Sequence, residues 1–298
     1  MKNKVIVVAG PTAVGKTALG IKLAQEFNGE IINGDSQQVY KGLDIGTAKA
    51  SKEEQEQAPH HLLDTKEITE NFSAHDFVTE ANILIEDIIS RGKLPIIVGG
   101  TGLYLQSLIE GYHLGGSDNH EAMRKRRVEL EDLSDEELEK LFNSYNLFVQ
   151  EPNRRRLIRE IEKFELGNDL KNQESPYEFM LVGLNMDRQT LYDRINLRVD
   201  IMTNIGILEE AEMLYKKFSD VQATRAIGYK EYFPYFDGHI DLEEATETVK
   251  KNTRHYAKRQ ITWFKNRMNI DFYDVLDNAF PNNVLKDVEE FLNKEDIN

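Results

Sequence analysis

Near the start of the chain, Gly10-Pro11-Thr12-Ala13-Val14-Gly15-Lys16-Thr17 fits the pattern G-x-x-x-x-G-K-[ST], a loop that wraps phosphate oxygens in backbone N–H groups. The glycines let those groups turn inward and the helix that follows adds positive potential. Lys16 supplies a mobile charge, and Thr17 can ligate Mg2+. Loops of this type are nucleotide-binding and often ATP-binding, but the pattern does not say which phosphate compound is held. A nucleotidase or motor ATPase adds a buried strand ending in Asp that helps hold Mg2+. Here the run Pro95-Ile96-Ile97-Val98 ends instead in Gly99-Gly100-Thr101-Gly102, with a hydroxyl where that carboxylate would stand. Another run does end in an acid, Ile31-Ile32-Asn33-Gly34-Asp35. Asp35 reads as a general base, as a metal-associated group, or as a turn or N-cap residue, and Thr101 equally reads as a cap on the next helix.

The elements that must position these residues follow from hydrophobic spacing. Val5 to Ala9 is a buried strand, Lys16 to Phe27 a helix and Glu30 to Gly34 a strand. Ser73 to Ser90 is helical, Pro95 to Val98 and Phe179 to Met186 are strands, a helix begins near Thr190, and Ile270 to Val275 is a last strand. Such alternation gives the α/β class, a parallel sheet flanked by helices. Ligands of open α/β sheets lie beyond the carboxyl ends of the strands, so Gly10 to Thr17, Asp35 and Thr101 are expected in one crevice. From Ser117 to Ser175 the chain is rich in Glu, Arg, Lys and Leu and has no strand-like run. The expected division is a core of residues 1–116 and 179–298 around a helical insertion, 117–178.

Among 298 residues there are 52 acidic and 37 basic side chains, a net charge of -15, so any polyanion must be held by local basic patches. One candidate is Lys250 to Arg267, which contains no acid. On a helix Lys250, Lys251, Arg254, Lys258 and Lys265 share one side, while Val249, Tyr256, Ala257, Gln260, Trp263 and Phe264 form a face read as core. A second patch is Arg154, Arg155, Arg156 and Arg159; the cluster Arg124 to Arg127 is surrounded by acids and counts for less. The absence of cysteine removes disulfides, thiolate zinc sites and cysteine nucleophiles. His60 and His61 point different ways on most backbones, so they shape the site or pack the loop rather than bind zinc. No apolar run approaches the roughly 20 residues that span a bilayer, and the expectation is a cytoplasmic monomer without membrane contact.

Further blocks recur in order along the chain: Gly34-Asp35-Ser36-Gln37-Gln38-Val39-Tyr40, Asp44-Ile45-Gly46-Thr47-Ala48-Lys49, Pro59-His60-His61-Leu62-Leu63-Asp64, Gly99-Gly100-Thr101-Gly102-Leu103-Tyr104, Arg225-Ala226-Ile227-Gly228-Tyr229 and Arg259-Gln260-Ile261-Thr262-Trp263-Phe264. Together with the phosphate loop they resemble the tRNA dimethylallyltransferase family. The resemblance implies a P-loop NTPase-like sheet whose helical insertion contacts tRNA. It also implies transfer of a dimethylallyl group from dimethylallyl diphosphate to N6 of the adenine at position 37, beside the anticodon, releasing diphosphate with Mg2+ as cofactor. Asp35 would be the base. Thr101 would bond the oxygen bridging the prenyl carbon and the diphosphate, and the loop, Lys16, Thr17 and Arg225 would hold the diphosphate. Asp35, Ser36, Gln37, Gln38 and Thr101 would meet the adenine, and Arg155, Arg156, Arg159, Lys258 and Arg259 the anticodon stem-loop. Where the family has His-Pro-Asn before an arginine-containing helix, this chain has Glu151-Pro152-Asn153-Arg154, one residue shorter.

Three rival readings keep the phosphate loop: a small-metabolite or nucleotide kinase, an adenylate isopentenyltransferase acting on a free nucleotide, and a non-catalytic RNA-binding switch. The basic patches favour RNA over a free nucleotide, and a switch has no need of both Asp35 and Thr101.

Overall fold

The apolar runs stand side by side in the computed structural model, which describes residues 2–112, 120–150, 152–166, 172 and 174–294. In chain order β1 (Asn3–Ala9), α1 (Lys16–Glu26), β2 (Gly29–Asn33), α2 (Lys52–Gln57), β3 (His60–His61), α3 (Ala74–Ser90), β4 (Leu94–Gly99) and α4 (Gly102–Ile109) lead to α5 (His120–Glu131), α6 (Asp135–Ser144) and α7 (Arg154–Leu166). The chain then returns through β5 (Tyr177–Asn185), α8 (Arg188–Ile205), α9 (Ile207–Lys217), α10 (Phe233–Phe236), α11 (Leu242–Arg267), β6 (Phe272–Asp274) and α12 (Asn282–Asn293).

The described strands form one six-stranded parallel sheet in the order β3-β2-β4-β1-β5-β6. Alternate residues of β1 enter opposite layers. Val5, Val7 and Ala9 join Ile97, Leu105 and Phe264 on one face, and Ile6 and Val8 join Leu19, Ile96 and Leu184 on the other. Burial on both faces is why these strands read as unbroken apolar runs. The helix starts have local causes too: Ser73 and Asp76 form a capping box at α3, and Asp187 caps α8.

The edge strand β3 has no sequence signature, because two residues are too few to show a period. His60 and His61 form it, paired to Ile31 and Ile32. His61 Nε2 lies 2.7 Å from the buried carboxylate of Glu30, which Lys93 also meets at 2.7 Å. These histidines therefore build the sheet edge.

Two compact units emerge, Met1–Ile109 with Ser175–Asn298, and Glu110–Glu174. The second unit starts and ends a few residues earlier than the 117–178 read from composition, which follows charge rather than the end of α4. Its own core is Leu130, Leu138, Phe142, Leu157, Ile158 and Ile161. No described helix is long and apolar enough to cross a membrane.

Candidate active site

β1 delivers the phosphate loop to the N-terminus of α1, where Gly15 adopts φ 104°, in the left-handed region. Lys16 Nζ donates to the Pro11 carbonyl at 2.8 Å. Burial lowers the Lys16 pKa to about 8, the charge of Asp35 opposes that shift, and Arg198 of α8 adds to it. Burial pushes the Arg198 guanidinium below its usual range as well, and no acid hydrogen-bonds to it among the described residues. Two half-buried cations that feel each other's charge, Arg198 also feeling the charge of Glu54, put positive potential near the phosphate loop that suits a polyanionic group.

The end of β2 carries the base candidate. Burial raises the Asp35 pKa, while the Gln37 N–H, donated to Oδ1 at 2.8 Å, and the Lys16 charge pull it back. Asn33 holds the turn, accepting the Asp35 N–H at 3.1 Å and donating to the Leu62 carbonyl at 3.0 Å. At the end of β4, Thr101 Oγ1 accepts the Ser36 N–H at 3.0 Å. One bond thus ties the base segment to the hydroxyl segment.

α11 closes this group from the side. The Thr12 N–H donates to Gln260 Oε1 at 2.9 Å, and Gln260 Nε2 donates to the Gly100 carbonyl at 2.9 Å. A Cβ on Gly100 would lie 2.4 Å from that Nε2 and 3.6 Å from Lys16 Nζ, and one on Gly102 would lie 2.4 Å from the Trp263 ring. Burial pushes the Tyr256 hydroxyl above the phenol range, and the nearby charge of Asp35 adds to this. Periodicity assigned this helix face to the core; Val249, Phe264 and Trp263 do pack there and Ala257 joins the other layer, whereas the reading is corrected for Gln260, whose amide bridges Thr12 and Gly100, and for Tyr256, which stands near the charge of Asp35. The signal available in the sequence was an amide among apolar residues. Arg198 was also missed, since one arginine in a helix carries no pattern.

The remaining residues singled out in the sequence fall into two groups. Gln37 Oε1 is buried without a hydrogen-bond partner, as an acceptor awaiting a donor would be. Gln38 instead spends its amide on the Thr47 and Ala48 carbonyls, at 3.1 and 3.2 Å. Arg225 is exposed in a 3-10 turn, Gln222–Arg225, and no hydrogen bond among the described residues links it to the phosphate loop. The basic stripe is only partly free: Lys250 meets Asp200 at 2.7 Å and Glu247 at 2.8 Å, and Arg254 donates to Asn196 at 2.6 Å. Those two brace α11 against α8. Lys258 and Arg259 are exposed, with the Arg259 guanidinium 5.7 Å from the Tyr256 ring centre. In the insertion Arg154 is bound to Asp135 and Arg156 donates to the Gln150 carbonyl at 2.9 Å, whereas Arg155 and Arg159 are exposed.

No cluster of three His, Cys, Asp or Glu suited to a metal occurs among the described residues. Thr17 is half-buried in the first turn of α1. That donor set fits Mg2+, which keeps most of its waters and takes phosphate oxygens with few protein ligands.

Residues 38–267 match the family model described as IPP transferase. The chain belongs to that family. The tRNA dimethylallyltransferase of Lactococcus lactis subsp. lactis is 62% identical over 291 residues, covering 98% of this chain and 99% of its own length. That of Streptococcus uberis is 60% identical over 291 residues, covering 98% and 97%. Among solved structures, the tRNA delta(2)-isopentenylpyrophosphate transferase of Staphylococcus epidermidis superposes with a TM-score of 0.74 at 41% identity, covering 98% of this chain and 99% of that one. A eukaryotic dimethylallyltransferase acting on tRNA gives 0.82 at 32% identity, covering 97% and 79%. As a member of the IPP transferase family, the chain is a prenyltransferase.

Proposed function

We propose that the protein transfers a dimethylallyl group from dimethylallyl diphosphate to N6 of the adenine at position 37 of tRNA. The observation that carries this reading is the bond from the Ser36 N–H to Thr101 Oγ1 at 3.0 Å, which brings the segment of the half-buried Asp35 and a hydroxyl together beside a phosphate loop. The allylic carbon–oxygen bond breaks with its electron pair leaving on the diphosphate, while the N6 lone pair forms the new carbon–nitrogen bond. Negative charge grows on the leaving group, where Lys16, the loop amides and Arg198 stabilise it most strongly because water is scarce. Arg225 is assigned to the same diphosphate through the family blocks alone. Thr101 accepts from Ser36 and so keeps its own hydrogen to donate to the bridging oxygen. The N6 lone pair is delocalised into the ring, and the Asp35 carboxylate takes the proton as the bond forms. Mg2+, held by Thr17 and the diphosphate oxygens, would neutralise part of the diphosphate charge.

The adenine must leave its stack to reach this crevice, where the unpartnered Gln37 Oε1 suits the second amino hydrogen and Ser36 lines the entry. Exposed Lys258, Arg259, Arg155 and Arg159, with Arg156, supply local positive charge for an anticodon stem-loop in a chain of net charge -15. The protein is read as a cytoplasmic monomer. The test is mass spectrometry of nucleosides from unmodified tRNA incubated with the protein, Mg2+ and dimethylallyl diphosphate, with ATP replacing the diphosphate as control. Donor-dependent isopentenyl adenosine is expected; prenylation of free AMP alone, or phosphate transfer from ATP, would overturn the reading.

A further inference from the structure

Gln260 occupies a position that neither the family blocks nor the proposed chemistry assigns a role. It is 5% exposed, and both ends of its amide are engaged at 2.9 Å, one by the phosphate loop and one by the segment bearing Thr101. The orientation is fixed, because the Thr12 N–H can only donate and the Gly100 carbonyl can only accept. α11 is itself anchored, with Ala257 and Phe264 fully buried and Lys250 and Arg254 bonded to α8. Tyr256 and Trp263, four residues before and three after, share the inner face. Trp263 reaches Gly102, where a Cβ would lie 2.4 Å from its ring. The helix therefore meets the hydroxyl segment on both sides of Thr101, at Gly100 and Gly102, and, through one amide, couples it to the phosphate cradle.

We propose that Gln260 is a positioning residue for the transfer: its amide sets the spacing between the phosphate loop and Thr101, so that one diphosphate is gripped by the cradle and met at its bridging oxygen at once. The inference rests on the reading of the site as a prenyl transfer centre. Misplacement of a reacting group by about 1 Å costs on the order of 100-fold in rate, so the effect belongs in kcat rather than in tRNA binding.

The experiment compares wild type with Gln260→Leu and Gln260→Glu, measuring dimethylallyl transfer to tRNA across pH together with thermal unfolding midpoints. Gln260→Leu removes both bonds at similar volume and is expected to lower kcat by roughly 10- to 100-fold with KM for tRNA within about twofold. Gln260→Glu gives a sharper readout. Its carboxylate accepts from Thr12 but repels the Gly100 carbonyl, whereas its neutral form accepts and donates as the amide does. The ratio of variant to wild-type kcat is therefore expected to rise as pH falls. Lys16 from the phosphate loop, Asp35 from the end of β2, Tyr256 and the charged Arg259 neighbour this position in both proteins, which is why the ratio and not the raw profile is read. A merely structural role would instead lower the unfolding midpoint along with activity, whereas positioning lowers kcat at an unchanged midpoint and KM. Wild-type kcat in a folded Gln260→Leu, or a pH-independent ratio for Gln260→Glu, overturns the positioning role while leaving the transfer reading intact. A wild type inactive toward tRNA and dimethylallyl diphosphate overturns both.

Discussion

Arginines in the insertion and cations at the phosphate loop face the same problem and resolve it in opposite ways. Arg126 meets Glu165 at 2.6 Å and Arg127 meets Glu162 at 2.5 Å, and Glu162 is itself 3% exposed. Lys16 and Arg198 are half-buried, yet neither is hydrogen-bonded to an acid among the described residues, and both have lowered pKa values. Cations cancelled locally hold a small domain together. Cations whose nearby acids, Asp35 and Glu54, act only at a distance carry a standing cost to the fold that an anionic ligand would relieve further.

The largest test of that contrast concerns the group that answers the uncancelled charge. Asp35→Asn is expected to lower single-turnover transfer by roughly 100- to 10,000-fold without loss of dimethylallyl diphosphate binding. Undiminished transfer would remove Asp35 as the base. Next, Arg127→Met strands the Glu162 carboxylate and should destabilise the insertion by about 3 kcal/mol, read as a lower unfolding midpoint. Arg198→Met should do the reverse, leaving the ligand-free midpoint level or raised while kcat/KM for the donor falls roughly 10- to 100-fold. A stability loss at Arg198 equal to that at Arg127 would erase the distinction between the two regions.

A smaller effect follows from protonation. Lys16 must be charged to hold the diphosphate, and in the free enzyme its pKa is lowered to about 8 by burial. Donor kcat/KM, which reports the free enzyme, is thus expected to be flat below that value and to fall up to about tenfold per pH unit above it. Asp35 works in the opposite sense: its raised pKa places the acid limb above the ordinary carboxylate range, and activity is lost as pH drops through it. The smallest expected change is at the exposed patch. Lys258→Ala should raise KM for tRNA a few-fold and reduce the salt dependence of binding by about one counterion, with saturated turnover unchanged.

Much of the candidate crevice could be read from local parts of the sequence. A glycine pattern between strand and helix marks the cradle, and Asp35 and Thr101 follow apolar runs whose carboxyl ends a parallel sheet must gather. Periodicity says less about Tyr256 and Gln260, since it tells which face of α11 turns inward but not whether that face meets apolar core or reactive groups. Lys250 and Arg254 looked free for the complementary reason: their partners Asp200 and Asn196 lie on α8, and no local pattern announces a contact made across the fold. The assignment of Gln38 to the adenine has a similar weakness, because its amide is taken by backbone carbonyls of Thr47 and Ala48.

The sheet order also bears on how the molecule is made. β1 lies between β4 and β5, with the whole Glu110–Glu174 unit encoded before the second neighbour arrives. A ribosome therefore releases the anion-binding loop first, completes the flank of β1 only after the insertion has emerged, and delivers Gln260 later still. A polypeptide stalled anywhere before α11 carries the glycine loop and Gly100 without the one side chain that joins them, so the crevice is completed only by the last quarter of the chain.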